Sequence, residues 1–302
     1  MTTESKTTGK KVLLIGGTGD LGGMIAQALL ERGASLRLYV RPGSRSKLPS
    51  DLEEAVEIAE DESQACTGMD VVISAIQGGP DVIVDKQLEF LATAKEAGVK
   101  RFIPSDFSFD LFKLEEGENI NSDWRCEFAH RAETERGAVA INHILNGCFL
   151  DRGVLFGFLG AFDLEKNEAY LWGDGNTKMD FTTYADTAAY TAAVALSDEV
   201  LPNQCKFAGE SLTFHELLKE VSDGLGRPIS IQQMGTLADL DTEIANRQKS
   251  EPDNTFAWLP LMYWRAMLNG KGKLEPLMNS HYPSIQPMTV QDYTHKMTVG
   301  QD

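Results

Sequence analysis

Positive charge is in short supply in this chain. Across 302 residues, 28 Lys and Arg stand against 45 Asp and Glu, a formal net charge of −17. Such an acidic surface repels phosphate backbones and anionic headgroups, which argues against nucleic-acid and membrane partners. Cysteine is scarce too. Cys66, Cys126, Cys148 and Cys205 lie far apart, form no C-x-x-C pair and have no His at finger spacing. That excludes a disulfide framework or a zinc finger and points to free thiols in a reducing cytoplasm. No apolar run approaches the roughly 20 residues of a membrane span. The segment from Met1 to Lys11 is rich in Thr, Ser and Lys, lacks the apolar core of a secretory signal, and reads as a disordered lead-in. Internal repeats and low-complexity tracts are missing as well.

What is present is a globular composition, 42% hydrophobic and 24% charged, with length for one large domain or two ordinary ones. The first half alternates strand-like and helix-like segments. Strands are expected at Val12 to Ile15, Leu36 to Val40 (broken by Pro42 and Gly43), Val56 to Ala59, Asp70 to Ile76, Arg101 to Ile103 and Ala138 to Leu145. Helices are expected at Leu21 to Arg32, Val82 to Ala97 and Trp124 to Arg136, the first two stopped by Gly33 and Gly98. Repeated β-α-β units predict an α/β fold, a doubly wound parallel sheet covered on both faces. The second half is less regular. Ala169 to Trp172 and Met179 to Thr182 read as a hairpin around Gly173-Asp174-Gly175-Asn176. Helices follow at Asp186 to Leu196, Phe214 to Gly224, Leu237 to Gln248 and Phe256 to Leu268, with a short strand at Lys206 to Phe207. The composition shift near residue 150 divides the chain into a nucleotide-binding half, 1–150, and a smaller α+β cap, 151–302, although the chain can recross that boundary.

Chemistry is most legible at Gly16-Gly17-Thr18-Gly19-Asp20-Leu21-Gly22-Gly23, between the first strand and the first helix. Glycines there allow a tight turn and let backbone amides approach a pyrophosphate seated on the helix N-terminus. The spacing Gly16, Gly19, Gly22 differs from the usual dinucleotide pattern, but strand, loop and helix come in the required order. Asp20 is tolerable beside phosphate if it caps the helix and points away. An NAD site wants an acid at the end of the second strand. This chain has Arg41, then Ser44, Arg45 and Lys47. Guanidinium pairs with a 2′-phosphate, so NADP(H) is preferred over NAD(H); a solvated basic loop is the alternative. After the fourth strand, Ala75, Ile76 and Gln77 leave room for a ligand, with Gln77 either bonding the cofactor or starting a loop. Ser105, Asp106 and Phe107 follow the fifth strand at the same carboxyl edge. Asp106 is a candidate for orienting a substrate hydroxyl and Phe107 for stacking on an aromatic ring, a capped turn being the alternative. Trp172, Trp258, Met262, Tyr263 and Trp264 either line an aromatic-accepting pocket or fill the core.

The glycine loop, Arg41, the stretch Gly98-Val99-Lys100-Arg101-Phe102-Ile103-Pro104-Ser105-Asp106-Phe107, and His281-Tyr282-Pro283-Ser284 through Thr289-Val290-Gln291-Asp292-Tyr293 resemble NmrA-like and isoflavone-reductase-like proteins, atypical short-chain dehydrogenases/reductases. The resemblance covers nearly the whole chain. It implies a Rossmann-type NADP(H) domain followed by a smaller substrate domain, and an Asn146-Gly147-Cys148-Phe149 segment beside the nicotinamide. Cys148 lacks an activating base in sequence, which argues against a nucleophile. The Tyr-x-x-x-Lys pair of the main short-chain dehydrogenases is missing, since Tyr293 and Lys296 miss that spacing by one. Laid on the plant reductases, the helix places Arg131 at their lysine, with His130 beside it. Arg131 suits an oxyanion and His130 a proton shuttle; ordinary helix-surface residues are the alternative.

The resemblance implies an NADPH-dependent reductase passing hydride to a small aromatic, phenylpropanoid-like acceptor, as a monomer or homodimer. Quinone reduction is the alternative within the family. A non-catalytic NADP(H)-sensing regulator with a protein partner is the alternative outside catalysis.

Overall fold

The structure is a computed structural model describing residues 9–41, 43–151 and 153–300. The lead-in up to Thr8 and the strand-breaking Pro42 lie outside the described residues. Chain order in the first half is β1 (Lys11–Ile15), α1 (Asp20–Glu31), β2 (Ser35–Tyr39), α2 (Ser50–Ala55), β3 (Glu57–Ala59), α3 (Glu62–Ala65) and β4 (Val71–Ser74). There follow α4 (Gln87–Glu96), entered through a π turn over Asp81–Lys86, then β5 (Arg101–Ile103), α5 (Ile120–Glu135) and β6 (Ala140–Ile141). The strands form one parallel sheet in the order β3-β2-β1-β4-β5-β6. Because side chains alternate along a strand, β1 feeds two cores. Val12 and Leu14 pack with Ile25, Leu29 and Ile73 on one face; Leu13 and Ile15 pack with Phe90, Phe102 and Phe128 on the other. Burial on both faces is why these strands read as unbroken apolar runs. The chain builds outward from β1 to β3 and returns across β1 to β4. That reversal opens a crevice above the carboxyl ends of β1 and β4.

Beyond β6 the first half ends with β7 (His143–Leu145) and β8 (Cys148–Phe149), and the second half supplies β9 (Phe162–Asp163), β10 (Glu168–Trp172), β11 (Met179–Thr182), α6 (Tyr184–Leu196), β12 (Gln204–Lys206) and β13 (Glu210–Leu212). Then come α7 (Phe214–Leu225), β14 (Ser230–Gly235), α8 (Leu237–Ser250), α9 (Leu259–Leu268) and α10 (Val290–Thr298). Small sheets are ordered β14-β10-β9, β13-β11-β8 and β12-β7. Helix α6 returns to the first half, where Ala188, Ala192 and Ala195 share a core with Ile25 and Leu29 of α1. Trp258, Met262 and Trp264 are buried in the core of the second half, and the Trp264 indole donates to the Leu159 carbonyl at 2.9 Å. Trp172 and Tyr263 pack against that core from its edge.

Three local expectations change. The hairpin does not form: β10 pairs with β9 and β14, whereas β11 pairs with β8 and β13. Its intended turn is claimed by other elements. The Gly173 amide donates to Gly235, the Gly175 carbonyl accepts from Phe214, and His215 Nε2 lies 2.9 Å from the Asp174 carbonyl oxygen. The strand from Ala138 to Leu145 breaks at Asn142, where pairing passes from β5 to β12; the Asn142 amide side chain donates to the Pro202 carbonyl at 2.8 Å. Helix α5 starts one turn earlier than periodicity suggests, because the Asn119 side chain accepts from the Ser122 amide and caps it.

A buried ion pair ties the halves together. Lys206 Nζ lies 2.6 Å from Asp110 Oδ2 and donates to the Glu275 carbonyl, and the Asp110 side chain is 1% exposed. Lys206→Met strands that carboxylate and is expected to cost about 3 kcal/mol, read by urea unfolding. A cost below about 1 kcal/mol would mean that Lys113, 3.3 Å away, neutralises Asp110 by itself.

Candidate functional site

The crevice is a cleft of about 620 Å³ bounded by the ends of β1, β2, β4 and β5. Its floor is the turn from Gly16 to Gly22. Gly16 has φ +89°, and a Cβ there would collide with the Ala75 carbonyl; a Cβ on Gly22 would collide with the Gly16 carbonyl. Glycine is thus required by sterics at both positions. Gly19, not Asp20, is the N-cap of α1, and it contributes no side-chain hydrogen bond. Asp20 is the first helical residue and lines the cleft. No backbone carbonyl of a described residue outside the helix accepts from the amides of Asp20, Leu21 or Gly22. The positive end of the helix therefore faces the cleft with its donors available for an anion.

At the β2 end, Arg41 and Ser44 line the cleft. No carboxylate of a described residue lies within ion-pair distance of Arg41. Arg45, by contrast, is held away by Glu53 at 2.6 Å and Glu60 at 3.3 Å, and Lys47, exposed on the same turn, is not among the lining residues. Of the basic cluster, geometry leaves Arg41 facing the cleft. Ala75, Ile76 and Gln77 form the wall beyond β4, and Ser105, Asp106 and Phe107 the wall beyond β5.

That last turn is heavily tied down. The Ser105 amide donates to Gln87 Oε1 at 2.8 Å and its hydroxyl to the Ile76 carbonyl at 2.7 Å. Arg125 Nε donates to the carbonyls of Ser105 and Asp106 at 3.0 and 3.2 Å. The Asp106 carboxylate turns away from solvent to His143, whose Nδ1 lies 2.6 Å from Asp106 Oδ2 with both side chains buried. These ties hold Phe107 at φ +35°, a left-handed conformation unfavourable for an aromatic residue, and its ring lines the cleft.

The two residues expected at the catalytic position lie elsewhere. Arg131 is outside the cleft lining, engaged with Asp85 at 3.4 Å, Glu135 at 3.6 Å and Glu127 at 3.8 Å; His130 is exposed. The α5 cation that lines the cleft is Arg125, nearly two turns earlier. Its Nη1 donates to the Asn121 carbonyl at 2.9 Å, and no described carboxylate pairs with it. Asn146 and Cys148 are buried behind the cleft wall, while Phe149 lines it. Burial raises the Cys148 thiol pKa strongly, and pushes Cys66 and Cys126 to about 11 and Cys205 to about 12, leaving four inert free thiols.

Sequence reasoning missed several lining residues. Tyr39 and Phe90 meet edge to face at 5.2 Å, with Lys86 over the Phe90 ring and paired to Glu62 at 2.6 Å. Tyr184, from the first turn of α6, packs edge to face on Phe149 at 4.5 Å. For Arg125 the signal was present, since it falls in the first turn of the helix expected from Trp124. For Tyr184 there was none, because its place depends on α6 returning to α1.

Behind Phe149, Asp151 accepts from the Tyr184 amide at 2.8 Å, and burial raises its carboxyl to about 6. A raised carboxyl pKa means that the native state holds this proton from about pH 6 down to the unfolded value of 3.8, whereas the unfolded chain does not. The site therefore favours folding as pH falls through that window and penalises it fully above. Asp151→Asn is expected to stabilise the protein at pH 8, with the gain gone by about pH 4; thermal melts across pH check this. An equal gain at both ends would remove ionisation as the cause.

Among the described residues, no helix is long and apolar enough to cross a membrane. The chain is 28% identical to eugenol synthase 1 of Petunia hybrida over 69% of its length and 72% of that protein's. It is 24% identical to isoflavone reductase of Glycine max over 95% of this chain and 98% of that one. The structure of AtPrR2 with NADP+ and (+)pinoresinol superposes with a TM-score of 0.79 at 21% identity, covering 95% of this chain and 98% of that one. The family description "NmrA-like family" matches residues 8–293. With its glycine cradle, parallel sheet and strand order in place, the chain belongs to the NmrA-like family.

Proposed function

We propose that this protein is an NADP(H)-dependent reductase acting on a small aromatic acceptor. One observation carries the reading: a single cleft joins an uncapped helix N-terminus to a guanidinium at each end, Arg41 and Arg125, neither of them paired with a carboxylate of a described residue. A dinucleotide laid across the sheet reversal puts its diphosphate on the amides of α1. Arg41 then meets a 2′-phosphate beyond β2, with Ser44 alongside. The opposite end of the ligand reaches Phe107, Phe149 and Arg125. Relatives named as reductases, and a fold neighbour whose structure is that of AtPrR2 with NADP+, support the same reading.

When bound, the nicotinamide supplies the hydride. The chain supplies orientation and charge. Phe107, fixed by the ties on its turn, offers an apolar face to a planar ring. Arg125 brings a guanidinium, a group suited to stabilising negative charge on an acceptor oxygen and not to acid-base catalysis. An acceptor whose reduced oxygen is already a weak base suits such a site, and this favours quinone-like over simple ketone substrates. Titration calorimetry with NADPH and NADH, followed by loss of NADPH absorbance against quinones and phenylpropanoid ketones, tests the reading. Tighter binding of NADPH with turnover of a quinone is expected. Binding without any turnover would point to a regulator, and no heat from either coenzyme would overturn the proposal.

A further inference from the structure

The inner end of the cleft, beyond β5, has few donors to spare. Ser105 has given its hydroxyl to the Ile76 carbonyl, and the Asp106 carboxylate, an acceptor only, meets His143 through Oδ2. Arg125 has committed Nε and Nη1 to backbone carbonyls. Tyr184 is different. It lines the cleft, its ring is braced against Phe149, and its hydroxyl makes no hydrogen bond to a described residue while remaining open to solvent. Nothing in the sequence marks it, since it follows β11 and enters α6 far from the glycine loop in the chain. Resting on the reductase reading above, we propose that the Tyr184 hydroxyl recognises the acceptor oxygen before reduction: it donates a hydrogen bond to the carbonyl of an aromatic ketone in the part of the cleft lined by Phe107 and Phe149.

The surroundings suit that role. Burial and the nearby carboxylates Asp151 and Asp20 push the Tyr184 hydroxyl up to about 12. It is therefore a neutral donor through the whole working range, and it orients the carbonyl without giving up its proton. The ring is positioned by structure alone. Its amide is anchored on Asp151 and its edge on Phe149, so removing the hydroxyl leaves the packing in place. Such a donor discriminates sharply between ligands with and without an acceptor oxygen, because an oxygen desolvated without a partner is penalised.

The test pairs two ligands that differ by that oxygen, 1-tetralone and tetralin, titrated calorimetrically into NADP+-saturated protein, where no reduction can occur. Wild type is expected to bind 1-tetralone about five- to tenfold tighter than tetralin, the worth of one neutral hydrogen bond. In Tyr184→Phe the ratio is expected to fall to about one, with tetralin and NADP+ affinities within about twofold of wild type. An unchanged ratio in the variant would overturn the proposal, as would failure of the NADP+-saturated wild type to bind 1-tetralone. Failure of NADP+ itself to bind would instead strike the reductase reading, so the two failures are separable.

Discussion

Arg41→Ala weakens NADPH binding by about 2 kcal/mol, roughly 30-fold, and leaves NADH within about twofold: that is the expected calorimetric result. The argument is electrostatic and local. Arg41 stands at the mouth of the cleft with no described carboxylate in ion-pair distance, so its charge is available to a ligand. The only chemical difference between the coenzymes is the 2′-phosphate, and a charge-assisted, bidentate pair with guanidinium is the strongest contact a surface residue can offer it. Arg45 provides the control. Its guanidinium is spent on Glu53 and Glu60, so Arg45→Ala is expected to leave the NADPH-to-NADH preference intact. Equal losses for both coenzymes in Arg41→Ala would mean that the residue shapes the loop and does not read the phosphate. Because the contact is exposed, the difference should shrink as salt is raised.

The second large effect is expected at Arg125. Arg125→Ala lowers kcat about 100- to 1,000-fold, the usual cost of deleting a donor aimed at developing negative charge. Arg131→Ala, with its side chain engaged by three carboxylates outside the cleft, is expected to change kcat by less than about twofold. Arg125 also holds the carbonyls of Ser105 and Asp106, so part of the loss can come from a displaced turn. Arg125→Lys separates the two roles. It keeps a cation but lacks the planar set of donors that holds the Ser105, Asp106 and Asn121 carbonyls and still leaves N–H groups for a ligand. Substantial recovery in Arg125→Lys assigns the effect to charge; none assigns it to the turn. A fall in Arg131→Ala as large as in Arg125→Ala would overturn the assignment altogether.

The glycine loop was readable because its constraint is local. A backbone that must approach Ala75 and Gly16 without a Cβ can be recognised wherever strand, glycines and helix follow one another. The preference for Arg41 over an acid was readable for the same reason, as it sits a fixed step past β2. The parallel sheet was readable from unbroken apolar runs, which only burial on both faces explains. Helix α5 shows where such reading weakens. Its existence was evident, but its polar character spreads charged residues around the cylinder, so spacing does not say which of Arg125 and Arg131 faces the cleft. That depends on the Asn119 cap and on the turn onto which Arg125 folds.

By itself, the amino-acid sequence determined the class of fold, the glycine turn that opens α1 and the guanidinium just past β2. Each follows from contacts between residues close in the chain, whose geometry is set by steric rules and helix capping. Tertiary structure alone decided which cations are free, which strands of the second half pair, and which side chains close the inner end of the cleft. The physical reason is partner competition. Arg45, Asp106, Ser105 and Arg131 carry groups that look available in a sequence, yet in the fold each is engaged by a residue or backbone carbonyl from another element. Which described groups lining the cleft keep something for a ligand, the Arg41 guanidinium, the remaining N–H groups of Arg125 and the Tyr184 hydroxyl, is known only after every other bond has been made.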